Sequence, residues 1–128
     1  MSEEVESQSK FLYSTFTSVL NLGIVTVLQR LNTGDANGVL AALRTLYDIL
    51  PPTVSGEIQA EYRDWQTKVN DILRFTRHSD PFMEDLRTRD AVARIDPLNR
   101  ALLRTIVQKL HAQGYLEKMP RKVPVGSE

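Results

Sequence analysis

The sequence predicts an all-α protein, a compact bundle of four to five helices. Apolar residues recur at alternating three- and four-residue steps over long segments, as they do on the buried face of a helix. Glycine, proline and Asp-Pro pairs separate these segments and are typical of helix ends. The chain has 128 residues, which suits one domain. We expect a single helical domain over residues 1–118 and an extended or disordered basic tail over residues 119–128.

The first predicted helix covers residues 7–32 and has the largest apolar content. Its main stripe consists of Leu12, Phe16, Leu20, Ile24, Val27 and Leu31, with Val19 and Leu28 beside it. Four more apolar residues lie off the stripe: Phe11, Tyr13, Leu22 and Val25. A helix that is apolar on several flanks is buried in its own core or against a partner. Gly34 suits the left-handed end of this helix, and Asp35 suits the cap of the next one.

Two further amphipathic segments follow. Residues 36–50 are predicted to form a helix that ends at Pro51 and Pro52, since neither proline has an N–H to donate. Its apolar stripe consists of Val39, Leu43, Leu46 and Leu50, with Leu40 and Tyr47 beside it. Residues 54–77 are predicted to form a third helix. Its narrow seam consists of Ile58, Tyr62, Trp65, Val69 and Ile72.

Two Asp-Pro pairs predict the starts of two more helices. In Asp80-Pro81 and in Asp96-Pro97 the carboxylate can accept a hydrogen bond from a free backbone N–H. The proline would occupy the first helical position, where its missing N–H costs nothing. We therefore expect a short helix over residues 81–95 and a longer one over residues 97–113.

The last predicted helix has a strong apolar face and a recognisable end. The face consists of Leu98, Leu102, Leu103, Ile106, Val107 and Leu110. Gly114 is expected to end the helix, and Tyr115 and Leu116 are expected to fold back onto it as the apolar contact of such a cap.

Composition excludes several classes of protein. The chain has no cysteine, which excludes disulfide scaffolds, thiolate metal sites and a cysteine nucleophile, and suits a reducing compartment. The acidic start, Met1 to Glu6, lacks the basic region of a secretory signal. Residues 11–29 carry no charge, but Ser, Thr, Asn and Gln interrupt the run. A membrane span wants about twenty predominantly apolar residues, so we expect a buried helix and a cytoplasmic protein.

Motifs for catalysis, cofactors or metals are missing from the sequence, so we expect no enzyme activity and no cofactor. The glycines are too scattered for a phosphate loop. His78 and His111 have no ligand partners at helical spacing, and we interpret them as solvent-exposed. Glu57, Glu61 and Asp64 could bind a hard cation on one helical face. We interpret them instead as the solvated side of the third helix, because the opposite side carries its apolar seam.

Charge divides the sequence into two parts of opposite sign. Residues 1–86 contain 7 Lys/Arg and 12 Asp/Glu, and residues 87–128 contain 9 Lys/Arg and 4 Asp/Glu, so the net charges are −5 and +5. Arginine dominates the basic part, and its planar guanidinium suits phosphate or carboxylate recognition. The candidate contacts for nucleic acid or an acidic partner are Arg87, Arg89, Arg94, Arg100, Arg104, Lys109, His111, Lys118, Arg121 and Lys122.

Three interpretations of this basic part stay open. It can be an ordinary solvated surface, or it can bind nucleic-acid phosphates. It can also meet an acidic protein surface, including the acidic part of a second copy, which would give head-to-tail contacts. Tyr115 is the only aromatic residue after Phe82, which weakens an interpretation based on stacking of single-stranded bases.

Residues 103–118 resemble a piece of a known DNA-binding fold. A helix followed by Gly-Tyr-Leu-Glu-Lys is similar to the recognition helix and wing entry of winged-helix domains. The resemblance covers only these sixteen residues, and it implies that the last helix would contact nucleic acid.

The sequence thus leads to two hypotheses about function. We expect a non-enzymatic protein–protein interaction or assembly subunit that associates with itself or with another protein, because the first helix is apolar on several flanks and the two charge parts are opposed. The alternative is a nucleic-acid-binding protein that uses the basic C-terminal helix and tail. Neither hypothesis includes a small-molecule substrate or a membrane.

Overall fold

The computed structural model describes the backbone of residues 2–116 and the side chains of residues 16–116. Within this part the chain forms five helices and no strand, which confirms the predicted all-α bundle. The helices are α1 (Ser2–Thr33), α2 (Ala36–Ile49), α3 (Pro52–Ser55), α4 (Gln59–Arg74) and α5 (Pro81–Ala112). None of the described helices is both long and apolar enough to cross a bilayer.

Helices α1 and α2 form an antiparallel pair joined by a tight turn. Gly34 has a φ of +71°, a left-handed conformation that favours glycine. The N–H groups of Gly34 and Asp35 donate to the carbonyls of Leu31 and Arg30, which is the Schellman pattern of a helix end. Asp35 Oδ1 accepts from the Gly38 N–H at 3.0 Å and caps α2. Both predicted signals are confirmed.

The predicted apolar stripes of α1 and α2 are buried against each other and against α5. They contribute Leu20, Ile24, Val27 and Leu31 from α1, and Val39, Leu40, Leu43 and Leu46 from α2. Gly23 lies where α1 packs closely on α2, since a Cβ added there would lie 3.0 Å from Leu46 Cδ1. The side chain of Leu12, which was placed on the same stripe, lies outside the described residues.

The single third helix predicted over residues 54–77 is wrong, because a turn separates α3 from α4. In a continuous helix the carbonyls of Thr53 and Ser55 would accept from backbone N–H groups four residues later. Instead, Gln113 Nε2 donates to the Thr53 carbonyl, and Tyr47 Oη donates to the Ser55 carbonyl, both at 3.2 Å. These bonds to side chains of other elements stabilise the break.

Of the two predicted Asp-Pro caps, only the first is present. Asp80 Oδ1 accepts from the Phe82 N–H at 3.0 Å and begins α5. The start predicted at Asp96-Pro97 is wrong, since α5 runs without interruption from Pro81 to Ala112 with Pro97 inside it. The Asp96 carboxylate pairs with Arg100 Nε at 2.8 Å instead of capping a helix.

The helix continues through Pro97 because one of its faces is buried on both sides of the proline. A proline inside a helix costs about 3 kcal/mol, whereas each large apolar side chain that is buried contributes about 1.5–3 kcal/mol. Several such side chains therefore outweigh the proline. The buried face consists of Ala91, Ile95, Asn99, Leu102, Leu103, Ile106, Val107 and Leu110.

The end of α5 matches the predicted cap. Gly114 has a φ of +82°, and the Tyr115 N–H donates to the Leu110 carbonyl at 2.9 Å, as in a Schellman end. Leu116 is buried, and the Tyr115 ring meets the ring of Phe16 edge-on at 6.0 Å. The turn after α5 therefore contacts α1 at Phe16.

One hydrogen bond between side chains joins α4 to α5 inside the core. Trp65 Nε1 donates to Asn99 Oδ1 at 2.8 Å. Asn99 is 2% exposed and is the buried polar side chain of the described core. Because water cannot reach either group, each depends on the other for its hydrogen bond.

We expect Asn99→Leu to lower the free energy of unfolding by about 1–3 kcal/mol, because the buried indole N–H of Trp65 then has no acceptor. Trp65→Phe should cost at least as much, since part of the buried ring is lost too. The double variant should be more stable than the sum of the two losses, because it leaves no unpaired group. Urea unfolding of the four proteins measures this, and strictly additive losses would contradict it.

We expect Pro97→Ala to raise the free energy of unfolding by about 1–3 kcal/mol. Alanine restores the N–H that can bond to the Ala93 carbonyl and is the best helix former. Pro81→Ala is the matched control, because proline at the first position of a helix removes no hydrogen bond, and we expect little change there. If Pro97→Ala destabilised the protein in urea unfolding, the proline would instead be needed for the packing of α5.

Candidate functional site

Three arginines that were predicted to contact a partner are ion-paired along α5. Each pairs with an aspartate four residues earlier: Arg89 with Asp85 at 3.1 Å, Arg94 with Asp90 at 3.0 Å, and Arg100 with Asp96 at 2.8 Å. A carboxylate one turn before a cation stabilises an exposed helix by about 0.3–0.5 kcal/mol. The pairs also reduce the positive charge that α5 offers to an anionic partner.

Lys109 and Glu57 link the end of α5 to the turn before α4. Lys109 Nζ lies 3.1 Å from Glu57 Oε1, and Gln113 Nε2 donates to Glu57 Oε2 at 2.8 Å. Glu57 thus holds two elements together and does not lie on α4 with Glu61 and Asp64, which are exposed. In the described part of the chain, no three acidic or histidine side chains are grouped so that they could hold a metal ion.

The other predicted contacts do not form one patch. Arg87 Nη1 donates to the Arg77 carbonyl at 3.3 Å, and Arg104 and His111 are exposed. From Arg87 to Lys109 is about 33 Å along the helix, so the basic residues are spread over its length. Three predicted contacts lie outside the described residues: Lys118, Arg121 and Lys122.

The resemblance to a winged-helix domain gains no support from the described residues. Residues 103–112 form the last part of the 32-residue helix α5 rather than a separate recognition helix. The chain from Gln113 to Leu116 forms a turn and no strand. The rest of the predicted wing entry and the basic tail lie outside the described residues.

Helix α1 carries an exposed surface without charge, which we call the α1 face. Three of its apolar side chains are exposed, namely Val19 (43%), Leu22 (66%) and Val25 (44%). Exposed polar neighbours complete the face: Ser18, Asn21 and Gln29. The sequence placed Leu22 and Val25 off the buried stripe, and this is confirmed, whereas Val19 was expected to widen the stripe and is exposed instead.

A second exposed surface lies between the end of α4 and the first half of α5, and we call it the α4–α5 groove. Its volume is about 330 Å³, and its walls consist of Ile72, Phe75, Arg87, Asp90, Ala91 and Arg94. Phe75 is 70% exposed. Two of the predicted contact arginines, Arg87 and Arg94, are brought together here.

Sequence analysis missed the apolar part of this second surface. Besides Phe75, the exposed large side chains near the groove in the sequence are Leu73, Phe82 and Leu86. Phe82 and Leu86 lie four residues apart on α5 and so share a helical face. That spacing was the available signal, but the charged residues between them make the segment resemble an ordinary solvated helix.

Three aromatic rings stack where α2 meets α4. The rings of Tyr47 and Tyr62 are parallel at 3.7 Å, and Trp65 lies 5.5 Å from Tyr62. Burial raises the pKa of the Tyr62 phenol above its ordinary value, and the negative charge of Asp48 adds to this while Arg44 opposes it. The cluster packs the core, and the raised pKa follows from that packing.

We expect the raised pKa of Tyr62 to make the fold less stable at alkaline pH. Below pH about 10 the phenol keeps its proton in both the folded and the unfolded chain, so it adds no pH dependence. Above that pH the unfolded phenol ionises first, and stability falls as pH rises. Tyr62→Phe should lack this loss, so its melting temperature relative to the wild type should increase above pH about 10. Parallel pH profiles of thermal unfolding would contradict this.

No protein-family model matches the chain, and comparisons with curated proteins and with solved structures find no match either. Within the described residues, two surfaces combine exposed apolar side chains with a distinctive charge pattern. The α1 face has no charge, and the α4–α5 groove carries two guanidinium groups.

Proposed function

We propose that this protein is a non-enzymatic interaction subunit that associates with a second copy of itself through the α1 face. The observation that carries this proposal is the exposure of Leu22, at 66%, in the middle of a segment without charge. Depletion of charge together with exposed large apolar side chains is typical of the core of a protein–protein interface.

The spacing of the apolar residues favours a second copy as the partner. A two-fold contact places one surface against itself, so each charge on it would need an opposite charge at the position of the same surface that faces it. The α1 face avoids this because residues 11–29 carry no charge. Val19 and Val25 lie three residues before and after Leu22. An antiparallel contact centred on Leu22 therefore packs Val19 of one copy against Val25 of the other.

The size of the α1 face sets the expected affinity. From Ser18 to Gln29 the helix is about 18 Å long and about 10 Å wide, which is small beside the about 800 Å² per partner of a standard interface. The run without charge extends back to Phe11 in the sequence, which would lengthen the contact to about 28 Å. We therefore expect a weak dimer, with a dissociation constant of about 10–100 μM.

Nucleic-acid binding by α5 and the tail stays a prediction that the ion pairs disfavour. Arg89, Arg94, Arg100 and Lys109 each lie beside a carboxylate. A phosphate would have to displace that carboxylate before it could bind the same cation. Self-association through the α1 face requires no such displacement.

We expect Leu22→Lys to weaken self-association by more than about ten-fold. Each copy would lose a buried leucine, worth about 1.5–3 kcal/mol, and two ammonium groups would meet at the centre of the contact. Sedimentation velocity at increasing protein concentration measures the change. Val92→Lys is the matched control, because it places the same charge at another exposed apolar residue, 38% exposed on α5, and should leave the association unchanged.

The same measurement can contradict the proposal in two ways. A wild-type protein that stays strictly monomeric at high micromolar concentration would rule out self-association through the α1 face. Dimerisation that Leu22→Lys and Val92→Lys weaken equally would place the contact elsewhere. Circular dichroism spectra of both variants check that the helices are intact, which we expect because neither side chain is buried.

A further inference from the structure

The α4–α5 groove combines an apolar wall with two cationic side chains. Ile72 and Phe75 come from the end of α4 and the residue after it, and Arg87 and Arg94 come from α5. Phe75 is 70% exposed, so a side chain packed on its ring would remove a large apolar area from water. A ligand for this groove needs an apolar side chain next to carboxylates.

The arginines of the groove retain capacity for a further anion. Arg87 donates to the Arg77 carbonyl at 3.3 Å, and none of the described carboxylates lies within ion-pair distance of it. Arg94 contacts Asp90 through Nε at 3.0 Å. A guanidinium group has five N–H donors, so one such contact leaves others for a second carboxylate.

The chain contains a segment of the required chemistry at its start. Met1 to Glu6 reads Met-Ser-Glu-Glu-Val-Glu, with three carboxylates around one valine. Its charge is complementary to the groove, which would bring two guanidinium groups and one carboxylate to the contact.

The geometry of α1 and α5 places this segment and the groove at opposite ends of one molecule. The two helices are antiparallel, because Leu31 lies near Ile95 and Phe16 lies near Tyr115. The chain before Phe16 therefore leaves at the Tyr115 end. The groove lies about 30 Å away along α5, at Arg87 to Arg94. A contact between segment and groove must come from a second copy.

We propose that the α4–α5 groove binds the acidic N-terminal segment, residues 1–6, of a second copy. The carboxylates of Glu3, Glu4 or Glu6 pair with the guanidinium groups of the groove, and Val5 packs on the Phe75 ring. The contact is head-to-tail, so it joins copies in a different way from the two-fold α1 face. It extends the proposed self-association but does not require the α1 face.

A binding experiment with a peptide of residues 1–10, MSEEVESQSK, tests this contact directly. The receptor is the full chain carrying E3Q, E4Q and E6Q, so that its own segment does not compete. Fluorescence anisotropy of the peptide, labelled at its terminal lysine, should show saturable binding that weakens with salt. Each exposed ion pair contributes about two- to five-fold, so the glutamine peptide MSQQVQSQSK should bind about five-fold more weakly or worse.

Variants of the receptor locate the site. R87Q and R94Q should each weaken binding about two- to five-fold, and Phe75→Ala should weaken it by a comparable factor because the apolar wall is lost. R104Q is the matched control, since Arg104 is exposed on the same helix outside the groove. Leu22→Lys should bind the peptide as well as its parent does, which separates this contact from the α1 face.

Three results would overturn the proposal. The first is no saturable binding of the acidic peptide at millimolar concentration. The second is equal affinity for the acidic and the glutamine peptides. The third is the same loss with R104Q as with R87Q and R94Q, because that would be unspecific attraction to α5. Peptide binding by the receptor would support this contact even if sedimentation of the wild-type protein disproved the α1 dimer.

Discussion

The fold depends on the continuous buried face of α5, since this helix contacts each of the other four. Helix α1 meets α5 near Ile95, before Pro97, and meets the turn after α5 at Tyr115. A break in α5 at Pro97 would move these two contacts relative to each other. It would also displace the other helices that pack on α5. Burial of one face on both sides of the proline therefore keeps α5 straight enough to serve as the common partner. The bond from Trp65 to Asn99 sits two residues beyond that point and fixes α4 in the same register.

Sequence predicted those features whose physical cause is complete within a few residues. The turn at Gly34 and Asp35 and the end at Gly114 need only a glycine, a cap and the last turn of a helix, and both are correct. Asp80-Pro81 and Asp96-Pro97 show where such local signals fail, because the two pairs have the same local chemistry. The residues before Asp80 are largely exposed, whereas Ala91 and Ile95 before Asp96 are buried. Packing with other helices decides between cap and continuation, and the local sequence does not contain that information.

The charge pattern shows a similar limit. Dividing the chain between residues 86 and 87 gives two parts of opposite sign, but the division cuts through the pair of Asp85 with Arg89 and separates Glu57 from Lys109. Two of the five excess charges on each side are therefore paired inside one molecule, one by helical spacing and one by the fold. The absence of charge over residues 11–29 is visible without knowing any contact, but it predicted a helix buried in its own core or against a partner and did not show that Val19 would be exposed.

The lengths of the helices explain why α1 has a surface left over for a partner. Helix α1 has 32 residues and α2 has 14, so they are about 48 Å and about 21 Å long. Helix α2 can therefore cover less than half of α1, and α5 approaches α1 near Leu31. Val19, Leu22 and Val25 point to the remaining flank, where none of the described helices reaches. The exposed parts of these side chains contribute little to the stability of the monomer. Burial of these side chains against a second copy would contribute to the free energy of association. Because the surface around them carries no charge, no ion has to be desolvated when such a contact forms.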